Sequence, residues 1–383
     1  MAFSDAYRLQ RYIGRHILEK GNRTAFCCVR AGWGKSTVSV SVSAGSSACS
    51  IHGVAYCSSV WVCPVCSSII RAKRSTLTTD VFTRTMAAGY RLLFVTLTLH
   101  HVAATPLVDV LAIQRQAWRH MSQSRLYRDW VKSTGSRWSM RALEVTHGVS
   151  GWHPHYHVVF AVAEGYTPDL DMLYTVWAGS VVSAGGYASP LAYHAVYIAD
   201  PAEVATYTAS WGGGDFKIGY EVSSDKKGRR GSRSPFQLAA DGMGGDVASD
   251  VLFREYAHGI KGLRAQTWSR AWRAAFVVPA DDLVVDENDL TSIDGAVVVV
   301  LAAYEYEKLK RYRDDFIDAI VCRNLSELYA VCDMLEITLD LVNLPYFFGE
   351  SGRLSDTVTY GGGYASTWAT ADHARLCAVH TGL

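Results

Sequence analysis

The segment Gly151-Trp152-His153-Pro154-His155-Tyr156-His157-Val158-Val159-Phe160 constrains this chain more than any other. Its β-branched apolar end reads as a strand, in which residues two apart share a face. His155 and His157 can then converge on one metal ion, while Tyr156, Val158 and Phe160 turn toward a core. A second strand is expected over 138–146, with Glu144 near its end and able to pair with the start of the histidine strand. Two imidazoles and one carboxylate leave coordination positions open, as a catalytic metal needs and a structural one does not. Half-buried histidines beside a turn are the plainer account of the His-x-His spacing. Glu144, and a tyrosine met further on, decide for the metal.

At 383 residues the chain has length for two or three domains with proper cores. No N-terminal stretch has the charged-then-apolar order of a signal peptide, and the longest aliphatic run, 296–303, is far too short to span a bilayer. A soluble, cytoplasmic protein with no membrane partner is the expectation. Six of nine cysteines crowd into the first 66 residues, a clustering that suggests metal more than a disulfide framework. The net charge of +1 hides an asymmetry. Residues 1–280 hold 30 Lys and Arg against 18 Asp and Glu, or +12; residues 281–383 hold 7 against 18, or −11. A basic body can hold phosphates, and the acidic end is expected to compete with DNA for it.

Along the chain, β-type runs and glycine turns occupy 24–66, a helix 67–89 and a strand 91–99. A helix follows over 106–132, opened by a helix-permitted proline, then the two metal-bearing strands, a helix over 168–182 and a strand over 191–198. Asp200 followed by Pro201 is a good N-cap with proline at the first helical position, and that helix should reach about residue 210. The order β-α-β-β-α-β-α is the split βαβ pattern of a mostly antiparallel sheet, an α+β class. Residues 212–234 read as a glycine-rich basic loop, 251–275 as a helix, 279–295 as an acidic linker and 304–341 as a long charged helical region. In the helix after Asp200, Glu203 and Tyr207 stand four residues apart on one face. A phenol there can attack a phosphodiester and keep the 5′ phosphate as an ester, and a carboxylate beside it can activate water.

With these features in this order the chain resembles plasmid rolling-circle replication initiators, single-tyrosine members of the HUH endonuclease superfamily. The match is carried by 93–98, by Glu144-Val145-Thr146-His147-Gly148, by the histidine segment and by 203–211, with 57–66 and 233–238 flanking. The resemblance implies that His155, His157 and Glu144 hold Mg²⁺ or Mn²⁺ against the scissile phosphate. It implies that Tyr207 nicks one strand of plasmid origin DNA, at a single-stranded or hairpin site, and that Glu203 ends the cycle with water. Host helicase and DNA polymerase are implied as partners. A lysine often found three residues after the tyrosine is here Ser210, and Lys217 is the candidate substitute. A transposase or mobilisation relaxase would keep the chemistry, although relaxases usually use three histidines. A zinc-bearing DNA-binding regulator with a degenerate site is the alternative from another class.

Cys63-Pro64-Val65-Cys66 is a zinc-type knuckle, with Cys57 six residues before it, and a closed site needs a fourth thiolate. The resemblance points to Cys28; Cys27, Cys49 and His52 are alternatives. Such a Zn²⁺ would be structural, holding the N-terminal part. Gly34-Lys35-Ser36 is no P-loop: the glycine required five positions earlier is Val29, and β-type residues follow where a helix is needed. Lys226, Lys227, Arg229, Arg230 and Arg233 form a basic loop, and Lys261, Arg264, Arg270 and Arg273 follow with Trp268 and Trp272. Such cations position a strand without reading it, and the indoles could stack on bases. Three consecutive domains are therefore expected: 1–90 with the zinc cysteines, 91–278 with the endonuclease, and 279–383 as acidic linker and mostly helical accessory domain.

Overall fold

The computed structural model describes residues 3–43, 49–190, 193–202, 232–276 and 295–343. Contacts divide the chain into two units, one of Val60–Val62 and Ser67–Val284, the other of Met1–Ser59, Cys63–Cys66 and Val285–Leu383. The first is called the histidine unit below and the second the cysteine unit.

In the histidine unit, β3 (Tyr90–Leu97), β4 (Ser139–Gly148), β5 (Gly151–Ala163), β6 (His194–Tyr197) and β7 (Gln266–Trp268) form one sheet in the order β6-β3-β5-β4-β7. Every neighbouring pair is antiparallel. Strand β5 therefore lies between β3 and β4, which run parallel to each other. They are joined through α3 (Leu107–Gln123) and α4 (Arg125–Lys132). A two-residue loop, Val149-Ser150, closes the β4–β5 hairpin between paired Gly148 and Gly151. Gly151 is required there: its φ is +88°, and a Cβ would stand 2.9 Å from the Ala103 Cα.

Alternation along β5 does what the sequence expects of it. Tyr156 and Phe160 face α3 and α4, with ring centroids 5.7 Å from Trp118 and 4.8 Å from Trp130. Trp130 and Trp177, the latter on α5 (Leu170–Ser183), are almost fully buried. Each has its polar edge satisfied, donating to the carbonyls of Asp169 and Thr98 at 2.6 and 2.8 Å. Arg141 is sandwiched 4.4 Å from both the Trp118 and Tyr156 rings, and burial lowers its pKa from the usual guanidinium range.

Two expected helices are broken by local chemistry. The span 106–132 divides at Ser124, whose extended backbone and side chain, accepting from the Tyr127 amide at 3.1 Å, cap α4. The span 251–275 divides more deeply. α6 (Pro235–Met243) and α7 (Val247–Gly259) are followed by Gly262 at φ +76°, then β7 and α8 (Arg270–Phe276). The edge of β4 wins residues 266–268, pairing Met140 with Trp268. Asp200 does cap, accepting from the Ala202 amide at 2.8 Å.

The cysteine unit overturns the expectation of three consecutive domains. Its sheet, in the order β2-β1-β8-β9, joins β1 (Thr37–Ser43) and β2 (Cys49–His52) to β8 (Gly295–Ala302) and β9 (Leu339–Leu341). The aliphatic run near 296–303 is thus a strand completing an N-terminal sheet. The long helical region is instead α9 (Ala303–Lys308), α10 (Arg313–Val321) and α11 (Leu325–Met334), ended by β9. Acidic residues of this end are also partly neutralised at home. On α1 (Phe3–Tyr12), Arg11 pairs with Asp314 and Arg8 with Asp318. Removal of 281–383 would take β8 and β9 from the sheet that they form with β1 and β2. Among the described residues, no helix is long and apolar enough to cross a membrane.

Replacing Trp130 with alanine removes a side chain packed on Phe160 and should destabilise the protein by about 3–5 kcal/mol. Urea unfolding followed by circular dichroism measures it.

Candidate metal centres and nucleic-acid contacts

The β4–β5 register places Glu144 directly opposite His155 and Ala142 opposite His157, while β3 brings Thr96 opposite His157 from the other side. His153, His155 and His157 share the face opposite Tyr156. Glu144 reaches diagonally, and the His157 Nε2–H donates to its Oε2 at 2.5 Å. The Thr96 hydroxyl donates to His157 Nδ1 at 3.2 Å, and Phe94 stacks on the same ring with centroids 5.4 Å apart. Both ring nitrogens of His157 are therefore engaged and the ring cannot turn.

His155 is half-buried, and its Nδ1 is shut off from solvent with no hydrogen-bond partner. Burial pushes its pKa down to about 4 against the opposing pull of Glu144. Burial works to raise Glu144, but the hydrogen bond and charge of His157 more than offset it, so the carboxyl lies below its ordinary value. The site is thus a buried carboxylate between two imidazoles, one of which has an unused donor nitrogen. The His155 and His157 ring centroids are 6.2 Å apart, so these three side chains are not drawn together as tightly as preformed ligands.

Two neighbouring histidines were not singled out from the sequence. The His101 Nδ1–H donates to the Leu99 carbonyl at 3.2 Å, leaving its Nε2 to accept from the His153 Nε2–H at 3.2 Å. Strand parity was a signal for His153, since it precedes His155 by two. His101 lies beyond the end of β3 and had none.

Among the described residues, the one group of three or more ligand atoms lying within 4.8 Å of one another is Cys27, Cys57, Cys63 and Cys66, all buried. Sγ separations are 3.4 Å for Cys27–Cys66 and 3.7 Å for both Cys57–Cys66 and Cys27–Cys63. Thiolates about 2.3 Å from a tetrahedral zinc stand roughly 3.8 Å apart, so the group has the dimensions of a closed Cys₄ site. The fourth member is Cys27, not the expected Cys28. Cys28 is in the left-handed region at φ +56°. Its amide donates to the Ala55 carbonyl at 2.8 Å, its carbonyl accepts from the Tyr306 hydroxyl at 2.5 Å, and its thiol lies 3.7 Å from the Cys27 Sγ, at the edge of the group. Arg313, buried on α10, donates to the Cys27 carbonyl at 3.1 Å. Hydrogen bonds from the neighbouring thiols hold the Cys27 pKa well below the thiol range, while burial raises that of Cys63. Four thiols sharing one space cannot all ionise without a cation, and a group with this chemistry fits zinc.

The expected DNA contacts divide. Glu203, Tyr207, Ser210, Lys217, Lys226, Lys227, Arg229 and Arg230 lie outside the described residues. Lys261 and Arg264 are exposed, in the turn between α7 and β7. Arg233 is committed elsewhere: its backbone bridges His147 of β4, and its guanidinium donates to Asp241 at 3.0 Å and Ser249 at 2.8 Å. The expected base-stacking tryptophans are packed among other rings. Trp272 is fully buried, stacks on Phe82 of α2 (Pro64–Ala87) and donates to the Thr85 hydroxyl of the same helix at 3.0 Å, and Trp268 lies 5.1 Å from it.

Comparison with known proteins bears on what such a site serves. The family described as "Replication protein" matches residues 48–176. The chain is similar to "Protein rep" of Streptomyces lividans at 24% identity, over 63% of this chain and 68% of that protein. It is also similar to a "Neomycin resistance protein" of Streptomyces cyanogenus, at 29% identity over 29% of this chain and 31% of that one. No solved structure matches the chain. The likeness to plasmid replication initiators of the Rep kind, expected from the sequence, is thereby shown.

Two measurements follow from the geometry. Cys27→Ser should abolish zinc binding at the Cys₄ group and Cys28→Ser should retain it, as read by metal analysis of the purified variants. Arg233→Ala should lower stability by about 1 kcal/mol, because its partners are part-exposed, and should leave DNA affinity unchanged.

Proposed function

We propose that this replication initiator cuts one strand of its plasmid origin by transesterification, within a split βαβ endonuclease fold, and holds the new 5′ end on Tyr207. The observation that carries the reading is the buried Glu144–His157 pair beside His155 with its unpartnered Nδ1. It stands on a sheet in which β5 is inserted between two parallel strands.

His155, His157 and Glu144 would hold Mg²⁺ or Mn²⁺. Such an ion, when bound, supplies Lewis-acid polarisation of the scissile phosphate. The residues fit it: the proton that Glu144 and His157 share occupies ligand lone pairs that a cation can take instead, and Thr96 holds the His157 ring in place from behind. The phenol oxygen of Tyr207 forms the new bond to phosphorus as the bond to the 3′ oxygen breaks. The departing 3′ oxygen takes a proton and is left as a hydroxyl able to prime synthesis. Glu203 removes a proton from water in the closing step. A Cys₄ zinc centre on Cys27, Cys57, Cys63 and Cys66 is structural in this reading, because four thiolates leave no open position.

Incubating the protein with a labelled single-stranded origin oligonucleotide and Mn²⁺ tests this. A covalent adduct should form and vanish in Tyr207→Phe. His157→Ala should lower cleavage by at least the roughly 10–100-fold that losing a metal's supporting partner costs, with duplex binding retained. Binding with no cross-link under any condition would identify a regulator instead.

A further inference from the structure

Trp33 is fully exposed, at 101% of its reference surface, in a protein whose other described tryptophans are at least part-buried. A solvated indole is costly and uncommon, and this one is held out deliberately by its backbone. Residues Gly32-Trp33-Gly34-Lys35 form a β-turn in which the Lys35 amide donates to the Gly32 carbonyl at 3.1 Å and Gly34 has φ +75°. That is the type II pattern, which needs glycine at its third position and leaves the second free to point outward. Gly34-Lys35-Ser36, rejected above as a P-loop, has this turn as its actual structure.

A short ladder ties the turn to the Cys₄ group. The Gly32 amide donates to Gly53 at 2.8 Å, Ala31 bridges Val54, the Ala55 amide donates to Arg30 at 2.9 Å, and the Cys28 amide donates to Ala55. The rungs end beside Cys27 and Cys57, two members of that group. Next to the turn in sequence, Arg30 is exposed and lies over the Phe26 ring at 5.4 Å, and the sequence has no Asp or Glu between Glu19 and Asp80. An exposed π-face on a braced turn, within a stretch of sequence that carries basic residues and no acidic ones, complements an unpaired base of a nucleic acid.

We propose that Trp33 is a stacking platform for an unpaired base of single-stranded DNA, with the exposed Arg30 available to a neighbouring phosphate. The inference rests on DNA being this protein's partner, and not on the nicking chemistry.

The test is fluorescence anisotropy of a labelled mixed-sequence single-stranded oligonucleotide, and of its duplex, titrated with full-length protein in the Tyr207→Phe background. Trp33→Ala should weaken single-strand binding about tenfold, the scale of one lost base–aromatic stack. Trp33→Phe should retain most of the affinity, and duplex binding should not change. Zinc content and thermal unfolding should match the parent, since nothing packs on this side chain. Unchanged single-strand affinity in Trp33→Ala overturns the proposal, as does an equal loss on single strand and duplex, which would mark a general protein or backbone contact. A selective single-strand loss alongside a parent chain that forms no covalent adduct would uphold the platform while removing the nicking reading.

Discussion

The register between β4 and β5 is the constraint on which the rest of the histidine unit depends. Side chains in a strand repeat with period two, so a slip of one residue would carry every histidine on β5 to the opposite face. The two-residue loop and Gly151 prevent that slip, and the result is Glu144 opposite His155 and within a hydrogen bond of His157. The same register sends Tyr156 and Phe160 into the helices. Core and site are thus two readings of one alignment, and neither can be displaced without the other.

Burying a carboxylate is expensive unless it is paired and hydrogen-bonded. Glu144 meets that condition with His157, whose ring is fixed in turn by Thr96. The Cys₄ group crowds four buried sulfurs into one space, and its backbone is braced from the C-terminal segment by Tyr306 and Arg313. Both centres therefore draw their order from residues distant in sequence: β3 for one, α9 and α10 for the other.

Much of the histidine unit was legible because histidines alternate with other residues over 152–157, at the head of an apolar β-branched run. The faces assigned to Tyr156, Phe160 and the histidines follow from it directly. What was not legible turned on competition between local and distant partners. Residues 251–275 have helical spacing, yet the open edge of β4 claims three of them. Ser124 has the chemistry of a cap, but only its extended backbone shows that it interrupts one helix to begin another. Cys27 and Cys28 are equivalent in a linear reading, and only the fold places the Cys27 sulfur with those of Cys57, Cys63 and Cys66. Charge patterning misled most. A basic body and an acidic end suggested separate parts, where complementary charges on α1 and α10 in fact join the two ends of the chain.

That closure has a consequence for how the molecule is made. Strand β1 emerges from the ribosome early, but its neighbour β8 begins at Gly295, after the whole histidine unit has been synthesised. The enclosed unit can complete its own pairing first, while the N-terminal hairpin waits with an open edge for a partner more than 250 residues behind. A polypeptide released prematurely would carry the histidine unit without a finished sheet in the cysteine unit. The four-stranded sheet can therefore be completed only after translation has passed β8 and β9.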